Sequence, residues 1–133
     1  MTRRSLLLFG ACLPAAAAEQ SGELKITSGD ELRSLLAKEG RRLFLLDVRE
    51  PQEIANDGAL AGSYNIPIKQ VEARLGEIPK DKPVLVYCSQ GIRAEWAADK
   101  LRRRGYRIRA FAGLQDWKAK RYPLVFPNAT GKR

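Results

Sequence analysis

Pro83 to Trp96 reads PVLVYCSQGIRAEW, an apolar run that gives way to a cysteine and then to a helical pattern. Pro83 to Tyr87 is continuously apolar, the mark of a strand buried on both faces. Cys88 follows it directly, and a helical pattern begins near Ile92. Leu43 to Val48, LFLLDV, repeats the apolar run up to Asp47, and Arg107 to Phe111, RIRAF, supplies a more alternating strand nearer an edge. Helical pieces lie between and around them, at Asp30–Lys38 (closed by Gly40), Pro51–Ala55, Gln70–Leu75, Ile92–Arg104 and Leu114–Ala119. Ile26 to Ser28 reads as a short extended segment ending in a cap. Alternation of strand and helix predicts an α/β fold, a mostly parallel central sheet flanked by helices on both faces. With 133 residues the chain holds a single domain.

The first residues have another purpose. Thr2-Arg3-Arg4 is a short basic segment, Ser5 to Pro14 is apolar but too short to span a bilayer, and Ala15 to Ala18 offers small residues for cleavage. Residues 1–18 therefore read as a cleavable export signal and residues 19–133 as the mature domain, with its core at about 24–125 and an irregular, Pro- and Gly-containing tail. The expected location is periplasmic, without a membrane span. A lipid anchor on Cys12 is the alternative, since LFGAC resembles a lipoprotein cleavage box; TRRSLL resembles a twin-arginine signal. Asn128-Ala129-Thr130 is a formal glycosylation sequon of little weight beside a bacterial-type signal.

Composition removes several chemistries. The chain has no histidine and two cysteines, Cys12 and Cys88, which form no CxxC pair. Ser-His-Asp and Cys-His catalysis, HExxH zinc sites and structural zinc are excluded, so neither metal nor cofactor is expected. After cleavage Cys88 is the one remaining thiol. The balance of 24 basic to 15 acidic residues gives +9, and loss of Arg3 and Arg4 leaves the domain basic, which suits anionic small molecules.

A cysteine beyond the carboxyl end of a strand lies where open α/β sheets bind ligands. The amides of Ser89, Gln90, Gly91, Ile92 and Arg93 can curl around its sulfur at the start of the following helix. Gly91 allows a positive φ in that turn, and Arg93 offers a planar cation to an oxyanion. A helix N-terminus and a nearby cation favour thiolate over thiol, so no imidazole is required. The plain alternative is a small buried hydrophobe, which free cysteine often is. Asp47 and Arg49 follow a second buried strand and are candidates for the pocket wall, although an internal Asp–Arg pair holding the strand end accounts for them more simply.

These residues resemble the rhodanese-like sulfurtransferase family, and within it the small single-domain exported rhodaneses of the phage-shock type. The family loop C-x-x-G-x-[RST] is matched by Cys88, Gly91 and Arg93. LLDVREPQEI is similar to the D-V-R-x-x-x-E segment through Asp47, Val48, Arg49 and Glu53. GALAGSYNIPI, through Gly58, Gly62, Asn65, Ile66 and Pro67, resembles a further segment, as does the closing stretch with Gly105, Tyr106, Gly113, Trp117 and Pro123. The resemblance implies that Cys88 takes a sulfane sulfur from an anionic donor such as thiosulfate and passes it to a thiol or cyanide. A protein acceptor in a sulfur relay is the alternative. Ala59, Ala61 and Ala112 depart from the family pattern and are expected at the pocket rim.

Phosphatases and arsenate reductases of the same fold use C-x5-R, whereas Cys88 and Arg93 form C-x4-R, a ring too tight for phosphate. Arg102-Arg103-Arg104 falls at a helix C-terminus, where cations complement the dipole, so nucleic acid is not an expected partner. Trp96 and Trp117 are expected in or near the core.

Overall fold

Five parallel strands alternate with helices along the computed structural model, which describes residues 24–127. The export pattern, Cys12 and the Asn128 sequon lie outside the described residues. In chain order the elements are β1 (Leu24–Ile26), α1 (Gly29–Glu39), β2 (Phe44–Asp47), α2 (Pro51–Asp57) and β3 (Tyr64–Asn65). Then come two 3-10 segments, Ile68–Gln70 and Glu72–Glu77, and after them β4 (Val84–Cys88), α3 (Ile92–Arg103), β5 (Ile108–Gly113) and α4 (Gln115–Ala119). The sheet order is β1-β5-β4-β2-β3, and every neighbouring pair is parallel. The central strand is thus β4, which carries Cys88 as its last residue.

Its side chains explain the apolar run. Val84, Val86 and Cys88 face a core that also holds Ala94, Ala97, Ala98 and Leu101 of α3, with Val71 and Ile78 from the 3-10 region. Leu85 and Tyr87 face the opposite core, with Leu32 and Leu35 of α1 and Trp117 of α4. A strand covered on both sides has no polar face to show. The strand predicted at Arg107 to Phe111 runs on to Gly113 and lies next to the edge strand β1. A register shift opposite Val84 and Leu85 leaves Arg109 as the extra residue, and its guanidinium bonds Glu39 twice, each time at 2.9 Å.

Local chemistry sets the element ends. Ser28 caps α1, its hydroxyl accepting from the amides of Asp30 and Glu31 at 3.2 and 3.3 Å. Gly40, expected to close that helix, stays right-handed (φ −51°) and opens a 3-10 turn to Arg42 instead. The predicted helix at Gln70–Leu75 is two 3-10 pieces with a kink at Arg74 (φ −121°, ψ 26°). Beyond α4 the chain returns to the body: Ala59 and Val125 exchange two backbone hydrogen bonds of 2.7 Å. Among the described residues no helix is long and apolar enough to cross a membrane.

Candidate active site

Where β4 ends, the chain makes one tight loop before α3, and Gly91 stands at the turn with φ +99°. That left-handed conformation turns the Gly91 amide back toward the strand, where it donates to Cys88 Sγ at 3.0 Å. The Ala94 amide donates to the same sulfur at 3.4 Å. Ala94 lies one residue beyond the Ser89–Arg93 stretch expected to surround the sulfur, because the first turn of α3 brings its amide round onto the strand end. The cradle is anchored from below: the Leu114 amide donates to the carbonyls of Cys88 and Ser89 at 3.0 and 2.8 Å, and Gln115 donates to Ser89 at 3.1 Å.

Cys88 is 1% exposed, with its back in the α3-side core. Its front borders a cavity of about 490 Å³ lined by Glu53, Cys88, Ser89, Gln90, Ile92 and Arg93. The sulfur forms the floor of this pocket, which is wide enough for a small anion.

Glu53 was not among the residues assigned to the site from sequence, and it organises the pocket wall. Its Oε2 accepts from Arg93 Nη1 at 2.7 Å and from the Glu50 amide at 2.9 Å; its Oε1 accepts from Arg93 Nη2 at 2.8 Å and from the Ser89 hydroxyl at 3.3 Å. One carboxylate thus ties the start of α2, the cysteine loop and α3 together. The Arg93 bonds hold the Glu53 carboxyl down at about 2, aided by the Glu50 amide, while the same contact raises the Arg93 guanidinium above its ordinary value. Arg93 reaches the pocket as expected, but paired. Its partner lies 40 residues away in sequence, so the sequence marked Glu53 only as the acid of the D-V-R-x-x-x-E segment and gave it no part in the pocket.

Asp47 and Arg49 do not line the pocket. Both are fully buried, with Arg49 Nε and Nη2 donating to the Asp47 carboxylate at 3.0 and 2.7 Å and Nη2 also donating to the Gly58 carbonyl at 2.8 Å. The Asn65 side-chain amide closes the strand end from the other side, donating to the Asp47 and Arg49 carbonyls at 2.9 and 2.8 Å. Tyr87, beside Cys88 but on the opposite face, accepts from the Leu60 amide at 3.1 Å and donates to Ser63 at 2.8 Å. Burial pushes its hydroxyl well above the ordinary tyrosine range, so it stays a neutral donor. The pair is a fastening of the strand end.

The alanine departures are likewise away from the sulfur. Ala59 is buried beneath its bridge to Val125, Ala112 belongs to the α1-side core, and Ala61 is exposed beside Pro123 and Arg33, so none forms the rim. Trp117 is buried, its indole N–H donating to the Pro123 carbonyl at 3.0 Å, but Trp96 is 50% exposed. No group of side chains able to hold a metal ion occurs among the described residues.

A parallel α/β sheet with a solitary cysteine at the carboxyl end of its central strand, receiving main-chain N–H bonds from the following loop and helix, defines a class of domain built for sulfur or oxyanion chemistry. Within it, the chain belongs to the Rhodanese-like domain family, whose pattern residues 28–120 match. A sulfurtransferase of Allochromatium vinosum is 33% identical over 87 residues, covering 64% of this chain and 80% of the relative. YqhL of Bacillus subtilis is 39% identical over 84 residues, and the match takes in 60% of this chain and 64% of YqhL's length. The thiosulfate sulfurtransferase GlpE of Coxiella burnetii is 28% identical over 59% of this chain and 75% of its own. Among solved structures, a rhodanese-related protein of Thermoplasma volcanium superimposes with a TM-score of 0.65 at 32% identity, covering 77% of this chain and 97% of that one.

Proposed function

We propose that this protein is a thiosulfate sulfurtransferase working through a Cys88 persulfide. The observation that carries the reading is the pair of main-chain amides, Gly91 and Ala94, donating to Sγ at the floor of the pocket. Cys88 thiolate attacks the outer sulfur of thiosulfate; the sulfur–sulfur bond of the donor breaks, and sulfite leaves with its electron pair. The persulfide so formed extends one atom into the pocket, with its negative charge facing loop amides that are already oriented. A thiolate or cyanide then attacks the outer sulfur, the bond to Sγ breaks, and Cys88 returns as thiolate.

Ser89, Gln90, Ile92 and Arg93 enclose the donor, and Arg93 meets its sulfonate in competition with Glu53. The C-x4-R spacing, one residue shorter than the C-x5-R loop of the phosphatases, supports sulfur over phosphate. The basic, apolar and small-residue pattern of residues 1–18 supports export of the domain, and we place its chemistry in the periplasm.

Incubation with thiosulfate, followed by intact mass measurement, tests the activity. One sulfur atom added to wild type and none to Cys88→Ser is expected, with thiocyanate formed from cyanide by wild type alone. An unmodified wild type overturns the reading.

A further inference from the structure

α3 carries a second feature that sulfur uptake does not use. Its first residue, Ile92, is 73% exposed, and Trp96, one turn on, is 50% exposed. With Ile68, Lys69 and Arg93 they line a shallow groove of about 370 Å³. This groove shares Ile92 and Arg93 with the sulfur pocket, so the two adjoin across these two side chains. Lys100 caps the far side of Trp96, its Nζ 4.2 Å from the ring centroid.

Bases outnumber acids around the groove. Lys69 makes no ion pair among the described residues. Farther along, each acid is shared by two bases: Glu72 by Lys100 at 2.8 Å and Arg104 at 3.1 Å, and Asp99 by Arg102 at 2.5 Å and Arg103 at 3.2 Å. The surplus is positive. A contiguous apolar strip with a tryptophan at its centre and a cationic border has the makings of a protein interface, where aromatic anchors carry most of the binding energy and rim charges select the partner.

We propose that this face docks a protein acceptor: an acidic protein that sets an apolar residue beside the thiol it brings to the Cys88 persulfide. The proposal rests on the sulfurtransferase reading and names its acceptor. Docking at Ile92 and Trp96 places a partner's thiol at the pocket mouth, where its thiolate attacks the outer sulfur, forms the new sulfur–sulfur bond and releases Cys88 as thiolate. A lipid surface fits the same charge and polarity less well. Seated on Ile92, it would cover the opening through which sulfur must leave.

The test follows sulfur transfer from the persulfide-loaded full chain to three acceptors: free cysteine, an aspartate-rich cysteine peptide with leucine beside the thiol, and its lysine-rich counterpart. The acidic peptide should react roughly tenfold faster than the basic one at low salt, and the gap should close as salt rises. Trp96→Ala should slow the acidic peptide about tenfold and leave free cysteine unchanged. Lys69→Glu should erase most of the preference between peptides. Equal rates with both peptides, or a Trp96→Ala loss shared by free cysteine, overturn the docking surface while leaving sulfur transfer intact. A wild type that takes up no sulfur overturns the underlying activity and this proposal with it. A photo-crosslinking residue at position 96 identifies the occupant. Coupling to the acidic peptide supports the proposal; coupling to the chain's own residues, to a second copy, or to phosphatidylglycerol-containing vesicles overturns it.

Discussion

Arg93 gives both terminal nitrogens to Glu53, at 2.7 and 2.8 Å, and so meets the sulfur pocket as half of an ion pair. The guanidinium is therefore already oriented before a donor arrives, and its charge is largely answered. On the proposed activity, a dianionic donor would bind by drawing Arg93 away from the carboxylate or by sharing its remaining N–H groups, with the Glu53 charge opposing it throughout.

This arrangement predicts opposite effects from removing its two members. Glu53→Gln deletes the opposing charge, and the KM for thiosulfate should fall several-fold. Arg93→Ala leaves a carboxylate alone in the pocket, and KM should rise by roughly tenfold or more, a loss of about 1.4 kcal/mol or greater. In the double variant KM should fall, relative to Arg93→Ala, by more than Glu53→Gln lowers it in wild type, because a carboxylate without its guanidinium opposes the donor more strongly. Steady-state kinetics on all four proteins close the cycle, and additive effects would show that the pair does not govern donor binding.

Two glycines shape the loop in different ways. A Cβ on Gly91 meets nothing closer than 3.6 Å, so Gly91→Ala is opposed by its φ of +99°, a strain of about 1–2 kcal/mol. A Cβ on Gly113 would sit 2.7 Å from the Gln90 carbonyl carbon and 2.9 Å from its oxygen. Gly113→Ala must push the loop outward from below. We expect Gly113→Ala to slow persulfide formation by about tenfold to a hundredfold, since small displacements of a reacting group are costly. Single-turnover sulfur loading, with thermal unfolding alongside, separates this from a general loss of fold.

Asp47 and Arg49 predict a stability effect instead. Asp47→Ala leaves a guanidinium buried with one carbonyl partner, and should cost about 3–5 kcal/mol. Arg49 Nη1 already lacks a partner, which adds to the burden. Replacing both residues, as Asp47→Leu with Arg49→Met, should recover at least half of that loss, because no buried charge remains. Urea midpoints measure all three. Sulfur loading by the folded fraction should stay near wild type in each, since neither side chain touches the pocket.

The parts of this molecule written in local pattern were legible in the sequence. PVLVY and LFLLDV are apolar on both faces because both faces are covered, and Gly91 before Ile92 marks the turn because only glycine adopts its φ cheaply. The pieces that depend on distant partners were not. Glu53 and Arg93 meet through folding alone, and nothing in EPQE announces a guanidinium far down the chain. Ala59 looked like a rim residue from its place in a motif, whereas Val125 returns from the tail to bury it. Trp96 lies on α3 among alanines that do pack, and its helical spacing concealed that it falls on the outward face.

The Glu53 carboxyl finally gives the site a pH signature. Arg93 holds it at about 2 in the folded protein, against an ordinary 4.5. A depressed carboxyl stabilises the fold fully above 4.5, and the contribution disappears as pH falls from there through about 2, because the unfolded chain binds its proton first. With the pair partly open to solvent, its worth at neutral pH is about 1–2 kcal/mol. Wild type and Glu53→Gln should therefore differ in urea stability by that amount near pH 7 and converge as pH approaches 2, while Arg93→Ala should return the Glu53 titration, followed by carboxyl carbon NMR, toward the ordinary glutamate range. Parallel stability curves for wild type and Glu53→Gln across the acid range would mean that the ion pair does not hold the loop to α2.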